Sequence, residues 1–353
     1  MKKYFTLFLL FILLYGCNSS SPKIIEATVD SYDFIENIHT STQKDKIEFV
    51  SGEESVSFTA TELPLKNIMV ESSAAIAFLS ELDALSVIKG VTEPNYIYNP
   101  KISLKIHQKE MLDIGNSNEL YLEIILKNRP QLLIATTNPL LAKYHQQLKE
   151  NGIQILYLDE YKEQTPLAQA EYLKIIGKLV GKEEIAIEKY KGIKTAYEAT
   201  KKLIQENGTN KTSTLVNTMM GDAWYIPKST SIQVQLIEDA KGNYIFMDQQ
   251  SDLVSNFSFE EVYVKAKNAT HWINVINYTS LAEMKASNEQ YSWLDAYKNG
   301  NIYNYTKRKS KNGALDIYET GIVRPDIVLK DLGKIFHPEL FKTHEFYFYQ
   351  QLK

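Results

Sequence analysis

Apolar residues follow two rhythms along the chain. Through 23–60 they alternate with polar residues in short bursts. The segments 46–50 (KIEFV) and 55–59 (SVSFT), joined across Ser51-Gly52-Glu53-Glu54, have the period-two pattern and turn residues of a small hairpin. From residue 63 the rhythm changes. Compact apolar runs at 66–70, 86–91, 131–135 and 152–158 read as strands. Between them lie an apolar helix at 74–85, a loop at 92–100 (TEPNYIYNP) and a helix following Thr136-Thr137-Asn138-Pro139. Strands alternating with helices predict a parallel sheet.

A purely helical stretch follows. Thr165-Pro166 supplies a capping hydroxyl and a proline at the first helical position. Leu173, Ile176 and Val180 then share one face until Gly181. A second helix repeats Ala186, Tyr190, Ile193, Tyr197, Thr200 and Ile204 at four-three spacing and stops at Asn207-Gly208. Strand–helix alternation resumes with 212–218, a helix from Ser231 to Asp239, 244–246 and 271–277. The pattern predicts two α/β lobes separated by a helical connector, with one large sheet interrupted by a helical hairpin as the alternative.

The N-terminal 17 residues carry a different message. Met1-Lys2-Lys3 is a basic start and Tyr4 to Tyr15 an apolar run, shorter than the roughly 20 residues of a membrane span. It ends Leu14-Tyr15-Gly16-Cys17, which resembles a bacterial lipobox, with cleavage before Cys17 and lipid on its thiol. An ordinary signal peptide is the alternative. Asn18 to Pro22 then reads as a polar tether.

Composition narrows the function classes. The chain has 353 residues and a formal net charge of −4, which gives no support to nucleic-acid binding. Arg129, Arg308 and Arg324 are its only arginines, so a multi-point guanidinium grip on anions is not expected. A single cysteine excludes an internal disulfide and a cysteine-clustered metal site. The 23 tyrosines and 3 tryptophans are the compositional excess, some of them expected to face a ligand. A short pattern also recurs. Glu123-Ile124-Ile125 and Glu260-Glu261-Val262 each open an apparent helix, and each is followed by a strand. Spacing alone permits either helix capping or a paired surface role.

In order, the segments 68–79 (IMVESSAAIAFL), 160–172 (EYKEQTPLAQAEY), 231–244 (SIQVQLIEDAKGNY), 258–273, 313–340 (GALDIYETGIVRPDIVLKDLGKIFHPEL) and 344–352 (HEFYFYQQL) stand behind the lipobox. From about residue 62 to 353 the chain resembles the helical-backbone, TroA-like periplasmic binding proteins. These deliver iron–siderophore complexes, haem or cobalamin to ABC importers, and the resemblance is to the lipidated versions of Bacteroidetes and related bacteria. It implies an α/β fold of two Rossmann-like lobes with central parallel sheets, joined by a single long backbone helix, with the ligand cleft between the lobes. The implied divisions are a signal peptide over 1–16, a lipid-anchored tether and small hairpin over 17–60, an N-terminal lobe over 61–164, the inter-lobe helix over 165–181 and a C-terminal lobe over 182–353.

The resemblance also implies the site. Strand-end loops put Ser72, Ser73, Tyr96, Tyr98, Thr137 and Tyr161 on the cleft side of the first lobe. Trp224, Tyr225, Ser231, Tyr278 and Arg308 occupy that side of the second, with Trp224-Tyr225 the leading pair. Glu123 and Glu260 occupy the positions of one permease-docking carboxylate per lobe. The chain departs from the family at Lys228, Thr230 and Ala314, where glycines are usual, so the rim of the cleft differs in shape. No resident cofactor is implied. The partners are a chelate ligand, an ABC permease dimer with its ATPase subunits and, through Cys17, a membrane. The expected protein is a monomer in the periplasm, with cell-surface display as the alternative. Rival readings are a direct zinc or manganese binder and, from another class, an enzyme working in the cleft. Against the first, none of the six histidines falls in a cleft loop. Against the second, no nucleophile elbow, zinc-protease, phosphate-loop or dinucleotide motif is present.

Overall fold

A computed structural model describes residues 28–209, 212–248, 255–276 and 278–353. The expected signal peptide, Cys17 and the polar segment from Asn18 to Pro22 lie outside these residues. The predicted hairpin is present as β3 and β4 of an N-terminal sheet. That sheet is antiparallel, in the order β1 (Thr28–Val29), β2 (Ile38–Gln43), β3 (Lys46–Ser51) and β4 (Glu54–Thr59). Ile38, Phe49, Val56 and Phe58 fall on its buried face, as period-two alternation requires.

The first lobe is a five-stranded parallel sheet. It is built from β5 (Ile68–Val70), β6 (Ile88–Val91), β7 (Leu112–Asp113), β8 (Leu132–Ala135) and β9 (Ile155–Tyr157), in the order β7-β6-β5-β8-β9. Helices α1 (Ser73–Glu81), α2 (Pro100–His107), α3 (Leu122–Asn128) and α4 (Ala142–Glu150) connect the strands. Every residue of β5 and β8 is buried, because helices or the N-terminal sheet cover both faces.

Two helices follow, α5 (Pro166–Leu179) and α6 (Glu183–Asn207). The inter-lobe role expected for 165–181 belongs instead to α6. The buried apolar residues of α5 from Ala170 to Leu179 lie in the core of the first lobe, and of its apolar residues Leu167 reaches the second core. In α6, Ala186, Tyr190 and Ile193 pack into the first core, whereas Tyr197 and Ile204 pack into the second. Twenty-five residues give a rod of roughly 37 Å at 1.5 Å per residue, long enough to span both; α5 is not.

The second lobe repeats the plan. Strands β10 (Thr212–Val216), β13 (Gly242–Tyr244), β15 (His271–Ile273) and β16 (Ile302–Asn304) run parallel, and antiparallel β17 (Gln350–Gln351) closes the order β13-β10-β15-β16-β17. A small sheet of β11 (Met219–Met220), β12 (Ala223–Ile226) and β14 (Ser255–Phe257) lies beside it. The helices are α7 (Ile232–Asp239), α8 (Phe259–Ala266), α9 (Leu281–Ser287), α10 (Asp295–Lys298), α11 (Thr320–Val323) and α12 (Pro325–Phe336). One of them leaves its lobe: Ile322 and Val323 of α11 pack into the first core, while Ile317 before it and Val328 after it belong with the second.

Two carboxylates fix the N-terminal sheet to the first lobe. Glu171, fully buried on α5, accepts the backbone N–H groups of Asp33, Phe34 and Ile35 at 2.8, 2.8 and 3.2 Å, and Lys174 pairs with it at 2.6 Å. Glu163 accepts those of Glu36 and Asn37 at 3.2 and 3.1 Å and the Tyr172 hydroxyl at 2.8 Å. Substituting Glu171 with alanine strands these donors, each orphaned group costing about 1–3 kcal/mol. The expected result is release of 28–60 to limited proteolysis before the remainder unfolds. Protease resistance equal to the parent protein's would show that the clamp is dispensable.

Candidate functional site

The two lobes meet around Arg308, in the segment that leaves β16. Its Nε donates to Asp316 Oδ2 at 2.5 Å, and its guanidinium carbon lies 4.3 Å from the ring centroid of Tyr347 and 5.4 Å from that of Tyr98. Tyr98 comes from the first lobe, past the end of β6, whereas Arg308 and Tyr347 belong to the second. A cation is therefore held between one aromatic ring from each lobe, an arrangement in which the ring faces attract the guanidinium. Partial burial works against the charge on Arg308, but the hydrogen bond to Asp316 and the charge of that carboxylate, with the two tyrosines, together outweigh it and hold the guanidinium protonated. The phenol of Tyr98 is pushed up by burial, so it stays neutral and offers a hydrogen-bond donor.

Cavities open on this junction. One of about 650 Å³ is walled by Ile97, Tyr98, Leu104 and His107 of the first lobe and by the turn from Lys309 to Asn312 of the second. A smaller hollow of about 170 Å³ lies between α5, α7 and α11, with the polar tips of Gln169, Gln233, Asn274, Tyr305 and Tyr318 on its wall. The hydroxyls of Tyr305 and Tyr318 share a 2.9 Å hydrogen bond, and burial pushes the Tyr305 phenol far up. Ser73, the first residue of α1, sends its hydroxyl across to the Tyr318 carbonyl at 3.4 Å. Apolar walls with sparse polar fixers suit a small molecule of mixed character.

Of the residues expected to face a ligand, Ser73, Tyr98 and Arg308 are brought together here. Ser72 caps α1, accepting the N–H of Ala74 at 3.1 Å, and Ser231 caps α7 in the same way. Tyr96 stands in solvent, 66% exposed. Thr137 and Tyr161 lie elsewhere, at the ends of β8 and β9. The Thr137 hydroxyl and N–H are both held by Asp159, at 2.5 and 2.7 Å. Thr137 there helps line a cavity of about 500 Å³ between the first lobe and the N-terminal sheet. Tyr278 is hydrogen-bonded to Ser287 at 2.6 Å and borders a hollow next to Glu260.

The leading pair needs correction. Trp224 is wholly buried, its indole N–H donating to the Val216 carbonyl at 2.9 Å and its ring stacked on Trp272 at 5.4 Å. It is a core residue of the second lobe. Tyr225, its neighbour on β12, faces the opposite way and is exposed, because successive residues of a strand alternate faces. Tyr318, Tyr347 and Glu319, which the sequence reading left out, do stand at the junction. The aromatic density of 344–352 and the Asp316/Glu319 spacing were the available signals.

The two repeated glutamates are both exposed, and neither has an ion-pair partner among the described residues. Ser258 and Glu261 form the capping box of α8, with Glu261 accepting the Ser258 N–H at 2.7 Å, so Glu260 is not consumed in capping. Glu123 sits in the first turn of α3, whose N-terminus has no side-chain cap. Among the described residues no group of three or more His, Cys, Asp or Glu side chains is placed to hold a metal ion, and no helix is long and apolar enough to cross a membrane.

Two lobes of parallel sheet on a shared rod, meeting at a mixed polar and aromatic junction, form the architecture of a solute-binding protein. A model of the periplasmic binding protein family matches residues 73–309, and the chain belongs to that family. An uncharacterised lipoprotein of Methanocaldococcus jannaschii is 24% identical over 301 residues, covering 83% of this chain and 70% of the relative. Among solved structures, a periplasmic haem-binding protein from Pseudomonas aeruginosa superposes with a TM-score of 0.60 at 14% identity, covering 78% of this chain and 93% of its own. Helicobacter pylori CeuE with Ni(II) bound gives 0.63 at 15% identity, with coverages of 84% and 91%. A possible iron-binding periplasmic solute-binding protein from Staphylococcus epidermidis gives 0.60 at 18%, with coverages of 78% and 99%. The matched family model begins at α1, so the N-terminal sheet lies outside it.

Proposed function

We propose that this protein is the substrate-binding component of an ABC importer and that its cargo is a metal chelate: an iron–siderophore complex, haem or cobalamin. The carrying observation is the Arg308 cation between Tyr98 and Tyr347, one ring from each lobe, beside cavities that open on both. Flat or bulky ligands with apolar faces and a few acceptors are served by such a surface. Haem and nickel in the names of two structural neighbours favour the same cargo class. In this reading Cys17 carries lipid, residues 17–60 tether the body on the periplasmic side of a membrane, and the lobes divide at the helices of 165–207. Ser73, Tyr98 and Arg308 contact the ligand. Glu123 and Glu260 meet a permease dimer that works with its ATPase subunits.

Titration with three probes, ferrioxamine, haemin and cyanocobalamin, followed by absorbance and tryptophan fluorescence, tests the cargo class. One of them is expected to bind at submicromolar concentration, and Arg308→Ala to weaken it at least tenfold, the loss of one well-made polar and cation–π anchor of about 1.4 kcal/mol or more. Failure of all three probes to bind would reject the chelate reading.

A further inference from the structure

We propose that Glu319 is a latch between the lobes, a positioning residue that holds the Tyr98 loop of the first lobe against the second and so places Tyr98 beneath Arg308. The chain at Glu319 is in transit, because Ile317 packs with the second core and Ile322 with the first. Its carboxylate is buried, and its two oxygens accept the backbone N–H groups of Tyr98 and Asn99 at 2.5 and 2.9 Å. Asn99 is also the N-cap of α2, accepting from Lys101 and Ile102, and its side-chain amide donates to Ser80 on α1 at 3.1 Å. The latch therefore grips the point where the loop becomes helix. The Tyr98 ring cannot leave Arg308 by a loop shift alone unless that grip or the cap is broken.

The same geometry makes the latch sensitive to protons. No lysine or arginine among the described residues pairs with Glu319. Arg308 is bound to Asp316, and Arg324 is bound to Asp326 at 2.8 Å. The other titratable groups facing the junction are Asp316, which also accepts the Thr320 hydroxyl, Glu81 at the end of α1, and the phenols of Tyr98, Tyr305, Tyr318 and Tyr347. Burial pushes the Glu319 carboxyl up to about 7, with the two N–H groups pulling it back and the Asp316 charge adding to the rise. If the lobes part, the carboxyl returns to water and to its ordinary range near 4.5. The latched state then holds the proton more tightly than the open one. The contribution to closure is full below the open-state value and is lost as pH rises through 7.

Hydrogen exchange measured by mass spectrometry on the ligand-free full chain tests this, using peptides that cover 95–103. Exchange at Tyr98 and Asn99 is expected to be at least tenfold faster in Glu319→Ala than in the parent protein, while peptides of β8 are unchanged. After correction for intrinsic base catalysis, parent exchange is expected to rise at least tenfold between pH 5.5 and 8, and that rise is expected to vanish in Glu319→Gln. Should the alanine variant not fold, the glutamine variant carries the test through its pH profile. Equal protection in parent and alanine variant, or an unaltered pH profile in the glutamine variant, would overturn the latch. The proposal takes the cleft reading only as its reason for calling Tyr98 ligand-facing. No ligand enters the measurement, so its failure leaves the chelate titrations standing, and theirs leaves the latch standing.

Discussion

Substituting Trp224 with alanine is expected to destabilise the second lobe by about 3–5 kcal/mol, the range for removing a large aromatic from a closed core. The indole stands between Trp272, Tyr291 and Phe259, with ring centroids 5.4, 5.9 and 6.5 Å away, and has no exposed surface. Its loss opens a cavity among rings that cannot collapse onto one another. It also withdraws the donor that the Val216 carbonyl accepts at the end of β10. Tyr225→Ala, one residue on, is expected to change stability by less than about 0.5 kcal/mol because the ring is exposed and its hydroxyl has no hydrogen-bond partner among the described residues. Chemical denaturation of the two variants checks both values. A Trp224→Ala protein of parental stability that had lost ligand binding would return this residue to the site.

Reversing both Glu123 and Glu260 to arginine is expected to abolish uptake in cells while ligand affinity of the purified protein stays within twofold. Each carboxylate is exposed, each stands in the first turn of a helix, and neither is spent on a cap or an ion pair. One such charge per lobe matches a two-fold receptor, and reversal converts attraction into repulsion at both contacts. Single reversals are expected to reduce uptake severalfold. Because both side chains sit in solvent, the thermal midpoint is not expected to move, and that separates docking from folding. Loss of affinity in step with uptake would place these glutamates in the ligand site instead.

Much of the architecture was legible in the pattern. β5, β6, β8, β9, β10 and β15 lie where compact apolar runs predict them, since a strand buried on both faces must be apolar throughout, whereas β7 and β16 were not foreseen and β13 meets its predicted run only at Tyr244. The helical pair at 166–207 was equally plain. What periodicity could not say was which of those helices joins the lobes. Leu173 and Ile176 of α5 and Ile193 and Ile204 of α6 all read as buried, and an apolar face does not name its neighbour. Two strands of the N-terminal sheet were visible by alternation, whereas β1 is too short to carry a pattern.

The site was harder. Arg308 and Tyr98 were within reach because the resemblance puts the loops that leave their strands in the cleft. Trp224 misled because a tryptophan–tyrosine pair on a short strand presents one ring inward and one outward, and the residues alone do not fix which. Glu319 lies three residues from Asp316, a spacing that does not tell a structural carboxylate from a functional one. Its partners are backbone amides more than 200 residues away, and the side chains of the Tyr98 loop give no sign that its N–H groups are claimed.

The amides from residue 33 to 37 are surrendered to Glu171 and Glu163, and both acids belong to one half of the molecule. Mechanical load entering from upstream of Thr28 is therefore borne by the first lobe and carried into α5. The partner lobe meets this segment through the Phe34 ring and not through a carboxylate clamp, so a moored molecule would hold its first lobe as the steadier jaw.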